Sequence, residues 1–169
     1  MERSPCTIYT GEGRKMSRLT YKEVIEVSVE DLDLCFTGSR DGITQHQDNV
    51  LRYFIRSRPA RVRHGDCKGA DTRFHQLCLA FGYDETNLDI HPGPSLKWRA
   101  FNNGGTLHKV RPNMIRNRLM VMLSEVVVAC PKTSRMDKRS GTWRTIAYAQ
   151  SRAILTYIIF PSGKVEVRK

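Results

Sequence analysis

Residues 125–130 read EVVVAC, a continuous apolar run behind a single acid. An uninterrupted apolar strand suits the centre of a parallel sheet, where both faces are covered. Working outward, residues after Pro112 place Met114, Ile115, Leu119, Met120 and Met122 on an amphipathic helix opened by a first-turn proline. Downstream, a loop over 132–140 leads to Gly141-Thr142 and a helix through about residue 151, and residues 154–160 form the last strand. Further upstream the same rhythm recurs, each switch marked by Gly, Pro or Asn. Strands are expected over 32–36, 60–64 and 87–91. Helices are expected over 44–57, with Val50, Leu51, Phe54 and Ile55 buried, and over 70–81, with Phe74, Leu77, Cys78 and Phe81 at helical spacing. Residues 93–110 are rich in Gly and Asn and read as a long loop or lid.

The order βαβαβ, loop, αβαβ predicts an α/β fold: one Rossmann-like, mainly parallel sheet with helices on both faces. The chain has 169 residues, the size of one ordinary domain. Residues 1–31 read as an N-terminal extension, a polar tail followed by an edge strand around Val24, Ile25, Val27 and Val29, and residues 32–169 as the domain.

Composition narrows the function classes. With 40% hydrophobic and 27% charged residues, the chain is neither disordered nor collagen-like. Its main apolar stretch, residues 153–160, falls far short of the roughly 20 residues that span a bilayer. The first residues lack the apolar core of a secretion signal, so no membrane partner and a cytoplasmic location are expected. Five cysteines at irregular spacing read as reduced thiols. The net charge of +11 favours phosphate-bearing partners. Residues 1–31 hold five Lys/Arg against six Asp/Glu, leaving 23 against 11 for the remainder, so the basic surface lies in the domain.

Three glycine-bearing turns fall at the carboxyl ends of predicted strands: Gly38-Ser39-Arg40, Gly65 to Gly69, and Ser140-Gly141-Thr142. Open α/β sheets bind ligands there, because a turn entering a helix offers free N–H groups and glycine lets a phosphate approach the backbone. His64, Cys67, His75 and Cys78 are four zinc-competent residues within fifteen, yet Cys78 shares its stripe with Phe74 and Phe81, so no metal is expected. Cys67 has Lys68 beside it but no identifiable triad. Basic clusters at Arg56, Arg58, Arg61 and Arg63, at Lys109, Arg111, Arg116 and Arg118, and at Lys132, Arg135, Lys138 and Arg139 suit a nucleic-acid backbone. Trp98, Phe101 and Trp143 would be the stacking surfaces.

FTGSR, HGDCKGAD, MIRNRLM, VVVACP and SGTWRTIAYA together resemble the SLOG superfamily of Rossmann-like nucleotide-binding proteins, nearest its small YspA-like branch. The resemblance covers about residues 32–161. It implies that Gly38, Ser39 and Arg40 form a first phosphate-side loop, that Gly65, Gly69, Ala70 and Asp71 form a second, and that Arg116 and Asn117 open onto the nucleotide pocket. Gly141 and Thr142 would complete the phosphate site. It further implies a small phosphorylated nucleotide or nucleotide sugar as ligand and a homodimer among the assemblies to expect; no cofactor is expected. Lonely Guy members of the superfamily carry a glutamate after the last glycine motif, where Arg144 and Thr145 stand here. An arginine opposes the positive charge that develops when a ribose–base bond breaks. A sensor or sequestering role is therefore one alternative, and an N-glycosidase using Asp66 or Asp71 is another. DprA/Smf relatives imply a third, single-stranded nucleic-acid binding.

Overall fold

Seven strands hydrogen-bond in the order β4-β3-β2-β1-β5-β6-β7 in a computed structural model that describes residues 29–169. They are β1 (Asp33–Gly38), β2 (Arg61–His64), β3 (Leu88–Ile90), β4 (Thr106–Leu107), β5 (Val126–Cys130), β6 (Leu155–Ile159) and β7 (Val165–Arg168). The first six run parallel; β7 returns antiparallel to β6. The helices are α1 (Gln45–Arg56), α2 (Ala70–Ala80), α3 (Asn113–Met122) and α4 (Gly141–Ser151). The expected α/β architecture is thus the observed one. Of the expected edge strand, only Val29 lies among the described residues, and it is a buried residue in a turn.

Alternation along the strands builds two cores, one on each face. Leu34, Phe36, Val62, Val126 and Val128 pack with Leu51 and Phe54 of α1 and Phe74 and Leu77 of α2. Cys35, Val127 and Ala129 face the opposite way, toward Met120 and Val121 of α3 and Ile146 and Ala149 of α4. All five residues of β5 are buried, as an apolar run covered on both faces requires. Helix α1 starts on a capping box in which Thr44 and Gln47 satisfy each other's backbone N–H groups. The Gln47 amide continues inward to the carbonyls of Pro131 and Ile159, fixing the helix against the ends of β5 and β6.

Three details depart from the sequence reading. Strand β7 follows a Pro161-Ser162-Gly163 turn with Gly163 at φ +82° and pairs on β6, extending the sheet past the expected last strand. Helix α3 buries Arg116, Met120 and Val121 and leaves Ile115 and Met122 exposed, so the face expected from its methionines is rotated around a buried cation. Over β2 and β3, on the α3/α4 side of the sheet, the side chains are charged. Arg63 pairs with Asp33 (2.9 Å) and Asp89 (3.2 Å), and Arg61 with Asp89 (3.1 Å), so these arginines are committed within the fold. Burial pushes neighbouring His91 down to about 4, so its ring is uncharged at neutral pH.

The segment expected as a lid is tied down. It contains a 3-10 turn, Leu96–Trp98, and strand β4. Asp66 holds it: this fully buried carboxylate binds Arg99 Nε (2.9 Å) and accepts from Asn102 N (3.0 Å) and Nδ2 (3.1 Å), while its carbonyl accepts from Ala100 N. Asp66 sits at φ +55°, a left-handed conformation that Asp and Asn adopt more readily than other side-chain-bearing residues. Asp66→Ala should therefore lose about 3 kcal/mol by leaving Arg99 unpaired, and Asp66→Asn clearly less. Denaturant unfolding gives both values, and amide exchange over 99–103 should accelerate locally in the alanine variant. Equal stability of all three proteins would show that Asp66 is not the clamp.

Candidate functional site

Sheet order determines where the site is. From β1 the chain builds outward through β2, β3 and β4, then crosses back to place β5 on the other side of β1. The turns after β1 and β5 diverge, leaving a crevice at the carboxyl edge between them, the usual ligand position in open α/β sheets. A cavity of about 420 Å³ occupies that crevice. Its wall comprises the turn after β1 (Gly38, Ser39, Arg40, Asp41), Gly65 and Cys67 after β2, Asp71 on α2, the first turns of α3, and residues 139–144 at the start of α4.

Close backbone packing forms this wall. A Cβ on Gly38 would collide with the Ala70 side chain, so glycine there lets α2 press against the end of β1. Gly69 has φ +86° and lies against the Arg40 carbonyl; with Ala70 N donating to Ser39 O (2.9 Å), it locks the β1 turn to the start of α2. Gly65 lies against the Arg116 guanidinium, and no Cβ fits between them. At α4, Ser140 caps the helix by accepting from Trp143 N, while Gly141 has open space around it. The helix N-terminus is therefore accessible to an anion.

Nine residues expected at the site line the cavity: Gly38, Ser39, Arg40, Gly65, Asp71, Arg116, Asn117, Gly141 and Thr142. Gly69 and Asp66 do not, the first supporting the wall from behind and the second clamping the 93–110 segment. Lys132 and Arg139, read in sequence as part of a basic surface, are lining residues. Cys67, weighed in sequence as a zinc ligand and as a nucleophile, lines the site too, as does Asn113, which no motif set apart. Trp143, expected as a stacking surface, is buried against Phe160. Thr145 is buried and accepts from Asn117 Nδ2 (2.8 Å), holding α3 to α4.

Five cationic residues line the cavity, Arg40, Arg116, Lys132, Arg139 and Arg144, against three acids, Asp41, Asp71 and Asp137. Asp41 is neutralised by Lys132 at 2.7 Å. Arg116 is itself buried, at 3% exposure, and donates to the carbonyls of Gly65 and His91. It therefore ties α3 to the ends of β2 and β3 as well as contributing charge. Arg116 Nε and Trp143 Nε1 are buried donors with no partner among the described residues, which an acceptor in the cavity would satisfy.

Asp71 is the buried acid of the cavity. Its Oδ2 accepts from Cys67 N at 3.1 Å. Burial pushes its pKa up to about 6, although Arg116 and the backbone of Cys67 and Gly65 pull the other way. A carboxyl so tuned both donates and accepts a proton near neutral pH. Burial and Asp71 also push the Cys67 thiol up, which removes its nucleophilic form at neutral pH. The four zinc-competent residues do not gather. Asp66 N donates to His64 Nδ1, so His64 Nε2–H donates to His75 Nδ1 (3.0 Å) and His75 Nε2–H to Asn103 O (2.7 Å), occupying all four ring nitrogens. Among the described residues, Cys35, Cys67, Cys78 and Cys130 are free thiols.

No family model matches this sequence, and no curated protein does.

Because Asp71 is held above its ordinary value of 3.8, the fold favours its protonated form. Stability tied to it is complete below pH 3.8 and declines as pH rises through about 6. Asp71→Asn removes that titration. The unfolding free energy of the native sequence relative to this variant should drop by up to about 3 kcal/mol between acidic and neutral pH, measured by urea unfolding. Parallel stability–pH curves would show that the carboxyl is not strained when ionised.

Proposed function

We propose that this protein binds a small phosphorylated nucleotide or nucleotide sugar in the β1/β5 crevice. The observation that carries the reading is the convergence of the glycine turn after β1 and the open N-terminus of α4 on one cavity with an excess of cationic residues. The Ser39 hydroxyl, the Arg40 N–H and the backbone N–H groups of Gly141 and Thr142 would take the phosphate, with the Arg40 and Arg139 side chains supplying charge. Gly65, Asp71, Arg116 and Asn117 would face the sugar and base. The resemblance of these motifs to the SLOG superfamily supports the same ligand class.

Binding as a sensor or a sequestering protein is the primary reading. Catalysis is the second, and Asp71 favours it: its carboxyl lines the cavity and titrates near 6, suited to protonating a departing base. Asp66, whose oxygens serve Arg99 and Asn102, is not the acid in this reading. Single-stranded nucleic acid is the competing ligand. Exposed Trp98 has Arg40 5.2 Å and Lys97 5.0 Å from its ring centre, a stacking surface that shares Arg40 with the cavity.

Gly141→Asp separates ligand binding from folding. A carboxylate at the first helical position should raise stability by about 0.3–1 kcal/mol, yet repel a phosphate at that helix end. Native mass spectrometry with a pool of nucleoside monophosphates, nicotinamide dinucleotides and cyclic nucleotides should show a retained ligand on the native sequence. Retention by Gly141→Asp should be weaker on the order of tenfold to a hundredfold. Base release abolished by Asp71→Asn identifies a glycosidase; a retained, intact ligand identifies a binder. No retained nucleotide, together with oligonucleotide binding that falls steeply with salt, would overturn the nucleotide reading in favour of the competing one.

A further inference from the structure

The sheet edge away from the crevice carries a second cluster. Asp89 and His91 alternate along and just beyond β3, so both side chains leave the same face. Strand β4 pairs with β3 through Asp89↔Thr106 and Ile90↔Leu107, which brings His108 alongside His91; His108 N donates to Ile90 O at 2.9 Å. One donor atom from each of Asp89, His91 and His108 lies within 4.8 Å of the others, and among the described residues no other group of three His, Cys, Asp or Glu does this.

His91 is 2% exposed, and its Nε2 is a buried nitrogen with no hydrogen-bond partner among the described residues. A buried polar atom left bare is costly, so such an atom ordinarily faces a water or an ion. Its neighbour His108 stacks on it, with ring centres 4.1 Å apart, and donates from Nε2 to Asp89 Oδ1 at 3.1 Å. That side chain is 39% exposed, so it has room to move.

We propose that Asp89, His91 and His108 form a binding site for an imidazole-preferring divalent transition ion such as Zn²⁺. Two neutral imidazoles and one carboxylate make a three-ligand set common for zinc, with a water completing the tetrahedron. On binding, His108 gives up its hydrogen bond to Asp89, the Nε2 proton moves to Nδ1 or to solvent, and the ring swings toward His91. Donors sharing one tetrahedral zinc stand about 3.3 Å apart, so the closure required is on the order of 1.5 Å. Arg63 and Arg61 hold the Asp89 oxygens, orienting the carboxylate as outer partners do in metal sites. Their charge also excludes hard cations: one carboxylate already shared by two guanidinium groups offers little to Mg²⁺ or Ca²⁺, which need several oxygens. The bound ion would pin the two-residue strand β4, and with it the segment that precedes α3, to β3. This site is independent of the nucleotide reading.

The test uses the full chain stripped with a chelator and titrated with Zn²⁺ by calorimetry and with Co²⁺ by visible absorption. A single equivalent of Zn²⁺ should bind, Co²⁺ should show the intense bands of low coordination, and Mg²⁺ should give no heat. His108→Ala should weaken Zn²⁺ by more than the roughly tenfold to hundredfold that loss of an outer partner costs. His91→Ala should do the same, and His108, being half-exposed, decides the matter if the His91 variant fails to fold. His75→Ala should retain binding. No stoichiometric Zn²⁺ binding by the native sequence, or binding unchanged in His108→Ala, would overturn the proposal and leave a buried water as the partner of His91.

Discussion

A parallel sheet that grows first to one side of β1 and then to the other cannot close its carboxyl edge between the two halves. That constraint governs this molecule. The turn after β1 must head toward α1 and the turn after β5 toward α4, and the space between them is the cavity. The packing devices at this edge fix the wall of the crevice. Gly38 admits α2 against the strand end, Gly69 locks the turn from behind, and Ser140 caps α4 while Gly141 leaves its first turn open.

Buried charge then gives the edge its chemical character. Arg116, Asp71 and Asp66 all lie within the carboxyl-side loops of β2 or against them, and each is nearly or wholly buried. They do different things. Asp66 is spent on fixing the 93–110 segment, Arg116 joins α3 to two strand ends from the cavity wall, and Asp71 is the acid that combines burial with a place on that wall. Isolated ions are expensive to bury, so fully bonded ones mark structure and incompletely bonded ones mark function. By that criterion Asp71 and Arg116, whose Nε has no partner among the described residues, are the candidates for the site, while Asp66 holds the scaffold.

Much of this was legible from the sequence. Residues 125–130 read as a strand buried on both faces, and Gly38 and Gly65 placed the turns after the first two strands. The helical stripe over 70–81 located Phe74, Leu77 and Cys78 correctly. What the sequence hid depends on contacts between distant residues. Arg116 shares a basic stretch with Arg111 and Arg118, and only the approach of Gly65 and His91 makes it a buried tie. Asp66 and Asp71 are equivalent acids in one motif, distinguished solely by whether Arg99 arrives from more than thirty residues downstream. The 93–110 segment looked free because its anchor is a carboxylate outside it. His91 and His108 meet only because a two-residue strand pairs at the edge, too short to announce itself by periodicity.

The central claim is that phosphate enters the crevice at the two exposed backbone turns. A nitrogen–proton correlation titration of the isotopically labelled chain with nucleoside monophosphates tests it most directly. The account predicts saturable amide shifts at Ser39, Arg40, Gly141 and Thr142, with inorganic phosphate moving the same peaks. Shifts confined to the Trp98 and Phe101 surface, or no shifts at these turns, would contradict it.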